Sequence, residues 1–324
     1  MRFLICFFCL TGLCRTAIAQ QDAQFSQYLF NGIYINPAYA GYRQELNLHA
    51  YYRRQWTGVT GAPETMSLAL DGVTRNERVG LALQMAYDRV GAQNLFTAYG
   101  NYAYRIPVGE TGRLAFGIGA GLVQVGLDAG RIDTEDPNDP ILAAGRQSMR
   151  FFDARAGIYF STEKFFAGFS VDNLTAQYQQ KNKPLTSFLP VPRPHYFLTA
   201  GGMLPLGEAV WLKPSFLLKD DRGGPTSADL NLFLLLKELV WLGASYRTAV
   251  SLYNKPHLQK GLTRASDVTG MVEVFALPQL RVGYSYDHPL NGYRAYAGGS
   301  HEVSVGYYFR QEHAGGKQLR CFSF

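Results

Sequence analysis

Cysteine is the first scarcity. The 324 residues hold four, and Cys6, Cys9 and Cys14 all fall near the start, leaving Cys321 alone for the rest. A chain that sheds its first segment therefore has no pair to form an internal disulfide. Long apolar runs are also missing. After residue 19 nothing approaches the roughly 18 uninterrupted apolar residues of a spanning helix, and the greasiest window, 233–244, is cut by Lys237 and Glu238. Charge is sparse at 17% and nearly balanced. Setting aside Arg2 and Arg15 leaves 29 basic against 25 acidic residues, a net charge near +4. No Lys/Arg run with interleaved aromatics is present, so nucleic acid is not an expected partner. G-x-S-x-G, H-E-x-x-H, a P-loop and a paired C-x-x-C are absent, and His49, His195, His257, His288, His301 and His313 are scattered. No catalytic residue, cofactor or metal is expected.

What is present begins with an export signal. Arg2 supplies a positive start, Phe3 to Leu13 an apolar core, and Ala17-Ile18-Ala19 a small-x-small cleavage site. Residues 1–19 read as a signal peptide, with Gln20 as the new N-terminus. Leu13, bulky and immediately before Cys14, argues against lipidation.

Aromatic residues (14%) and 34 glycines are abundant, and their spacing has period two. A strand places successive side chains on opposite faces, and a lipid-facing strand is apolar at every second position. In 113–124 one face carries Leu114, Phe116, Ile118, Ala120 and Leu122, the other Ala115, Gly117, Gly119 and Gly121. Val79 to Arg89 and His301 to Arg310 alternate in the same way, the second placing Val303, Val305, Tyr307 and Phe309 on one face. The pattern predicts fourteen strands, near 45–56, 64–73, 77–89, 93–106, 112–126, 150–161, 164–173, 194–205, 209–219, 226–237, 239–248, 266–276, 278–287 and 301–310. Joins after even strands are tight, whereas those over 127–149, 174–193, 249–265 and 288–300 are long. That parity is expected of an all-β, 14-stranded antiparallel transmembrane β-barrel, with short turns on one side of the membrane and long loops on the other. Trp56, Trp211 and Trp241 fall near strand ends, where a lipid-interface girdle is expected. Asp88, Asn101, Arg105, Asp153, Arg155, Asp172 and Arg281 are expected to form a wet interior.

The segment "QFSQYLFNGIYINPAYAGY", 24–42, does not alternate. It concentrates Phe25, Tyr28, Phe30, Tyr34, Tyr39 and Tyr42 around a turn-prone Asn36-Pro37 step and ends in Ala40-Gly41. Such a segment can lie against a barrel rim or fold into its lumen, and 20–44 is expected to plug or brace the periplasmic mouth. The implied organisation is a signal peptide (1–19), an N-terminal periplasmic or plug segment (20–44), the barrel (45–310) and a C-terminal tail (311–324).

With "GSHEVSVGYYF", 299–309, this opening segment resembles the PorP/SprF family of type IX secretion-associated outer-membrane proteins of the Bacteroidetes. The resemblance spans essentially the whole mature chain, and Phe25, Tyr28, Phe30, Asn36, Pro37, Tyr39, Gly41, Gly299, His301 and Glu302 carry it. It implies a barrel similar to the long-chain fatty-acid transporters and a non-enzymatic role in type IX secretion or gliding. Implied partners are outer-membrane lipid, periplasmic ring or peptidoglycan-binding subunits, and a cognate secreted adhesin. The implied location is the bacterial outer membrane, with both termini in the periplasm.

A passive transporter of a hydrophobic or small solute is the alternative, favoured by any continuous apolar pocket in the lumen. A soluble exported sandwich would instead show two sheets with free edges. Among local features, "DTEDPNDP" (133–140) offers calcium-type oxygen ligands without EF-hand spacing and reads as a solvated acidic loop. Lys181, Lys183 and Arg193, and Lys255, Lys260 and Arg264, make two other long loops basic, so oppositely charged loops can fold together or face a partner. His301-Glu302 reads as a polar clamp at a strand entry rather than a metal pair. Gly117-x-Gly119-x-Gly121 reads as small lumen-facing residues rather than a nucleotide fingerprint.

Overall fold

The computed structural model describes residues 25–132, 145–180, 192–258 and 265–309. The signal segment, the acidic stretch 133–140, Lys181, Lys183, Lys260, Arg264 and the tail with Cys321 lie outside the described residues.

The described residues form fourteen antiparallel strands: Leu46–Arg54 (β1), Glu64–Val73 (β2), Val79–Val90 (β3), Gln93–Val108 (β4), Gly112–Asp128 (β5), Arg146–Ser161 (β6) and Phe165–Asp172 (β7). The second half comprises His195–Gly202, resumed after Met203 by Leu204–Pro205 (β8), then Val210–Asp220 (β9), Thr226–Leu236 (β10) and Val240–Val250 (β11). Ala265–Leu277 (β12), Leu280–Pro289 (β13) and Ser300–Phe309 (β14) complete it. Neighbours in sequence pair throughout, and β14 returns to β1, with Leu46 opposite Phe309 and Arg54 opposite His301. The sheet therefore closes on itself and leaves no free edge, which rules out the sandwich.

Alternation decides which side is oily. Leu81, Leu83, Met85 and Tyr87 on β3, Phe116 and Ile118 on β5, and Val303, Val305, Tyr307 and Phe309 on β14 are all exposed on the outside. Their neighbours Ala82, Gln84, Ala115, Glu302, Ser304 and Tyr308 are buried within. An apolar exterior on a closed hydrogen-bonded ladder is the arrangement of a membrane-spanning barrel of the outer-membrane type, because closure leaves no strand edge facing lipid.

The joins at 74–78, 109–111, 162–164, 206–209, 237–239 and 278–279 are short and share one rim. Those at 129–145, 173–194, 251–264 and 290–299 are long and share the other. The long-loop rim also holds two short joins, 91–92 and 221–225. Lys255, from one of the basic loops, pairs with Asp220 at 2.8 Å.

Two expectations change. Strand β6 begins at Arg146, four residues before its expected start, because β5 continues to Asp128 and offers a partner up to the Asp128–Arg146 pair. The extension adds Met149 to Phe151 in a small second core with Tyr99, Val123, Val125 and Leu127. The tryptophan girdle is corrected too. Trp241 is wholly buried and turns inward, edge-on to Phe233 with ring centroids 6.4 Å apart and with Lys213 Nζ 6.0 Å over its ring. Trp211 packs against the same interior cluster, and Trp56 sits half-buried in the turn beyond β1. Position along a strand fixes depth in the membrane, but parity fixes the face, and Trp241 shares parity with Ser245 and Arg247.

Candidate functional site

Residues 25–43 lie inside the barrel. A lumen of fourteen strands is too wide for the wall's own side chains to fill, and here the N-terminal segment occupies it. Three single 3₁₀ turns, Tyr28–Phe30, Gly32–Tyr34 and Pro37–Tyr39, keep the segment compact. Asn31 and Asn36 cap the second and third: the Asn31 side-chain oxygen accepts from Ile33 N (3.3 Å) and that of Asn36 from Ala38 N (2.9 Å). Pro37 opens its turn with a φ already set for it.

Apolar contacts supply the bulk. Phe25 lies against Tyr34 and Tyr51 at 5.0 and 5.5 Å between centroids, Phe30 meets Phe233 edge-on at 5.5 Å, and Tyr39 meets Tyr42 and Tyr159 at 4.8 and 5.7 Å. Each fully buried large side chain stabilises by roughly 1.5–3 kcal/mol. Burial pushes the Tyr28, Tyr34 and Tyr39 phenols above their ordinary value, so they stay neutral donors and acceptors.

Polar contacts fix the register at three levels. Near the long-loop rim, Glu302 accepts from Ser26 N and Gln27 N, both at 2.9 Å, while Arg53 pairs with Glu302 at 3.1 Å and Asp287 at 2.5 Å. The Ser26 hydroxyl joins the cluster, donating to Asp287 and accepting from Arg53 at 2.8 Å. At mid-height, Asn231 donates to the Tyr28 hydroxyl at 2.7 Å. Arg155, paired with Asp172 at 2.8 Å, donates to Ile33 O and Tyr34 O, both at 3.2 Å. Asn36 Nδ2 reaches Ile158 O at 3.1 Å and Phe169 O at 3.3 Å, carbonyls of two adjacent strands. Near the short-turn rim, Gly41 N donates to Asp71 at 3.0 Å and the Arg43 guanidinium stacks 5.4 Å over the Tyr308 ring.

Glycines make room for this backbone. A Cβ on Gly117 would stand 2.1 Å from Ala38 N, one on Gly80 1.9 Å from Ala40 O, and one on Gly157 2.2 Å from the Asn36 side-chain oxygen. Gly119 and Gly121 instead accommodate Arg155 and Tyr99 of the wall.

Of the residues marked from sequence, Phe25, Tyr28, Phe30, Asn36, Pro37, Tyr39, Gly41 and Glu302 meet here. Gly299 lies outside the site, in the connection to β14 with φ +87°, its carbonyl accepting from Thr57 N at 2.9 Å. His301 points out of the barrel, 2.6 Å from the Tyr284 hydroxyl, so it and Glu302 occupy opposite faces and cannot share a metal. Among the described residues no cluster of three or more His, Cys, Asp or Glu is placed to hold a metal ion. Sequence reasoning missed Arg53, Asp71 and Asp287 as plug contacts; their signal was a charge at inward parity on an otherwise alternating strand.

Removing the side chain of Asn36 strips one cap and both bonds to the wall. Asn36→Ala is expected to weaken local plug docking by about 1–2 kcal/mol. Hydrogen exchange at the Ala38 amide, faster by roughly tenfold for 1.4 kcal/mol, reads this out.

A barrel with a motif-bearing segment folded into it is what a family model described as "Type IX secretion system membrane protein PorP/SprF" matches, over residues 17–307. The chain belongs to this family. No curated protein sequence matches it at a significant level. Solved structures similar to it include an outer membrane protein, a FadL homologue and a hydrocarbon channel. Omp33 of Acinetobacter baumannii shares 9% identity, covering 82% of this chain and 98% of that one at a TM-score of 0.47. A Pseudomonas aeruginosa FadL homologue shares 10%, covering 92% and 97% at 0.46. The monoaromatic hydrocarbon channel CymD shares 14%, covering 87% and 93% at 0.46. PorP/SprF membership makes this barrel a membrane component of type IX secretion, with partners in that machinery.

Proposed function

We propose that the chain is a non-enzymatic outer-membrane component that supports export or surface attachment of a cognate secreted adhesin, working through protein contacts rather than as an open pore. The observation that carries this reading is the filled lumen: residues 25–43 are packed into the barrel and hydrogen-bonded to it at three levels. In this reading the long loops face outside, where they meet the adhesin. The short turns and the plug exit face the periplasm, where ring or peptidoglycan-binding subunits of the type IX machinery dock. Deleting the chain is expected to remove one large exported protein from the cell surface, as quantified by surface proteomics, with recovery on returning the full chain. An unchanged surface proteome would sink the proposal.

A second reading, passive passage of a small solute, draws support from a cavity of about 140 Å³ on the long-loop side of the plug. Leu95, Phe197 and Leu217 line it together with Lys219 and Asp220. It ends on Phe25, Tyr28 and Tyr34 of the plug, so passage requires that segment to move.

A further inference from the structure

The tandem Arg53-Arg54 shows what alternation does at the long-loop rim. Arg53 turns inward to hold the plug, whereas Arg54 turns out of the barrel with its side chain 57% exposed. The register sets Arg54 opposite Glu64 and Glu64 opposite Arg89, a charged row across β1, β2 and β3 on the outer face. Two residues further into the membrane, about 7 Å along the strands, Tyr52, Met66 and Tyr87 form a second row in the same register. All three are exposed. Below them come Leu68 and Met85, then Leu70 and Leu83, also exposed. Cations thus stand directly over an aromatic and then an aliphatic strip.

Above the charged row the structure builds a cleft of about 430 Å³. Among the described residues, Arg54, Arg89 and Arg131 line it with one acid, Glu64, and the turn Gly58–Ala62 forms its wall. That turn is pinned in place: Gln55 N donates to Pro63 O at 2.9 Å and Gly91 N to Gly61 O at 2.8 Å. Glu64 takes up donors of two of the guanidinium groups, Arg89 at 2.5 Å and Arg54 at 3.8 Å, and Asp128 steadies Arg131 at 3.6 Å. A guanidinium carries five N–H donors, more than these contacts use. Arginine forks match phosphate oxygens in pairs.

We propose that this cleft binds the phosphorylated headgroup of a glycolipid in the surrounding leaflet, with an acyl chain lying on the Tyr52, Met66 and Tyr87 strip. Arginines approaching from two sides suit a headgroup with more than one phosphate. The choice of glycolipid over glycerophospholipid rests on the long loops facing outside, since the outer leaflet is the glycolipid-rich one.

The test uses the full chain in detergent and native mass spectrometry, with three probes: a diphosphorylated lipid A, its dephosphorylated form and phosphatidylglycerol. The diphosphorylated lipid is expected to be retained, and Arg54→Gln with Arg89→Gln to lower its occupancy at least tenfold. Arg75→Gln with Arg78→Gln, at the opposite rim, is expected to leave occupancy unchanged. Glu64→Gln removes the competing carboxylate and is expected to raise occupancy, a gain that misfolding cannot mimic. Equal retention by the Arg54/Arg89 variant, or of the dephosphorylated lipid, overturns the site; preference for phosphatidylglycerol overturns the glycolipid assignment. Orientation is checked separately by maleimide labelling of Leu252→Cys on whole cells. That readout can fail without altering lipid retention in detergent.

Discussion

Gly117→Val is expected to unseat the plug and turn a closed barrel into a conducting one. The new Cβ would stand 2.1 Å from Ala38 N and 2.4 Å from Ala38 Cα, and backbone atoms cannot swing aside as a side chain can. Overpacking that side chains can absorb costs about 1–3 kcal/mol. Here the strain falls on the Pro37–Ala38 peptide, next to the Asn36 bonds to Ile158 and Phe169 carbonyls. The wall itself should tolerate the change, because valine suits a strand and Gly117 already has paired neighbours in Ala103 and Gly157. Single-channel recording in planar bilayers reads the opening, and heat-modifiable gel migration shows that the barrel is formed. A folded Gly117→Val barrel with wild-type conductance would mean that residues 25–43 are not the seal.

Arg53→Leu is expected to be the most destabilising single change near the long-loop rim. It takes away the guanidinium that holds Asp287 and Glu302, whose side chains are 1% and 0% exposed. Removing one partner of a buried ion pair typically costs about 3–5 kcal/mol, because the remaining charge stays desolvated. The same cluster binds Ser26 and Gln27, so the N-terminal end of the plug should loosen with it. A lower urea midpoint for unfolding measures the loss. The triple variant Arg53→Leu, Asp287→Asn, Glu302→Gln is expected to recover part of it, since no uncompensated carboxylate is left. No loss in the single variant would show that the cluster is dispensable.

These two positions differ in how visible they were in the sequence. Gly117 was legible as a lumen-facing glycine through its strand's period, yet nothing local said that Ala38 would press on it. Arg53 adjoins an equally charged Arg54; the alternation of β1 puts Arg53 on the inward face with Asn47, His49 and Tyr51, but only the pairing with β14 and the closure of the wall show that Asp287 and Glu302 wait for it there. Glu302 and His301 were one motif in the chain and are separated by the thickness of the wall in the fold. Trp241 was assigned by depth to a lipid girdle, and its parity sends it to the interior instead.

Period-two alternation, the even number of segments and the unequal joins were sufficient to specify a closed membrane barrel. Those signals are local, because each strand must satisfy lipid on one face whatever its neighbours do. Where the opening segment goes was decided by tertiary structure alone. Its partners lie up to 277 residues away, as in the Ser304–Gln27 bond. They converge only when β14 closes on β1 and encloses a space that the wall cannot fill by itself. Local spacing carries no record of which distant carbonyls, carboxylates and glycines will face one another across a lumen.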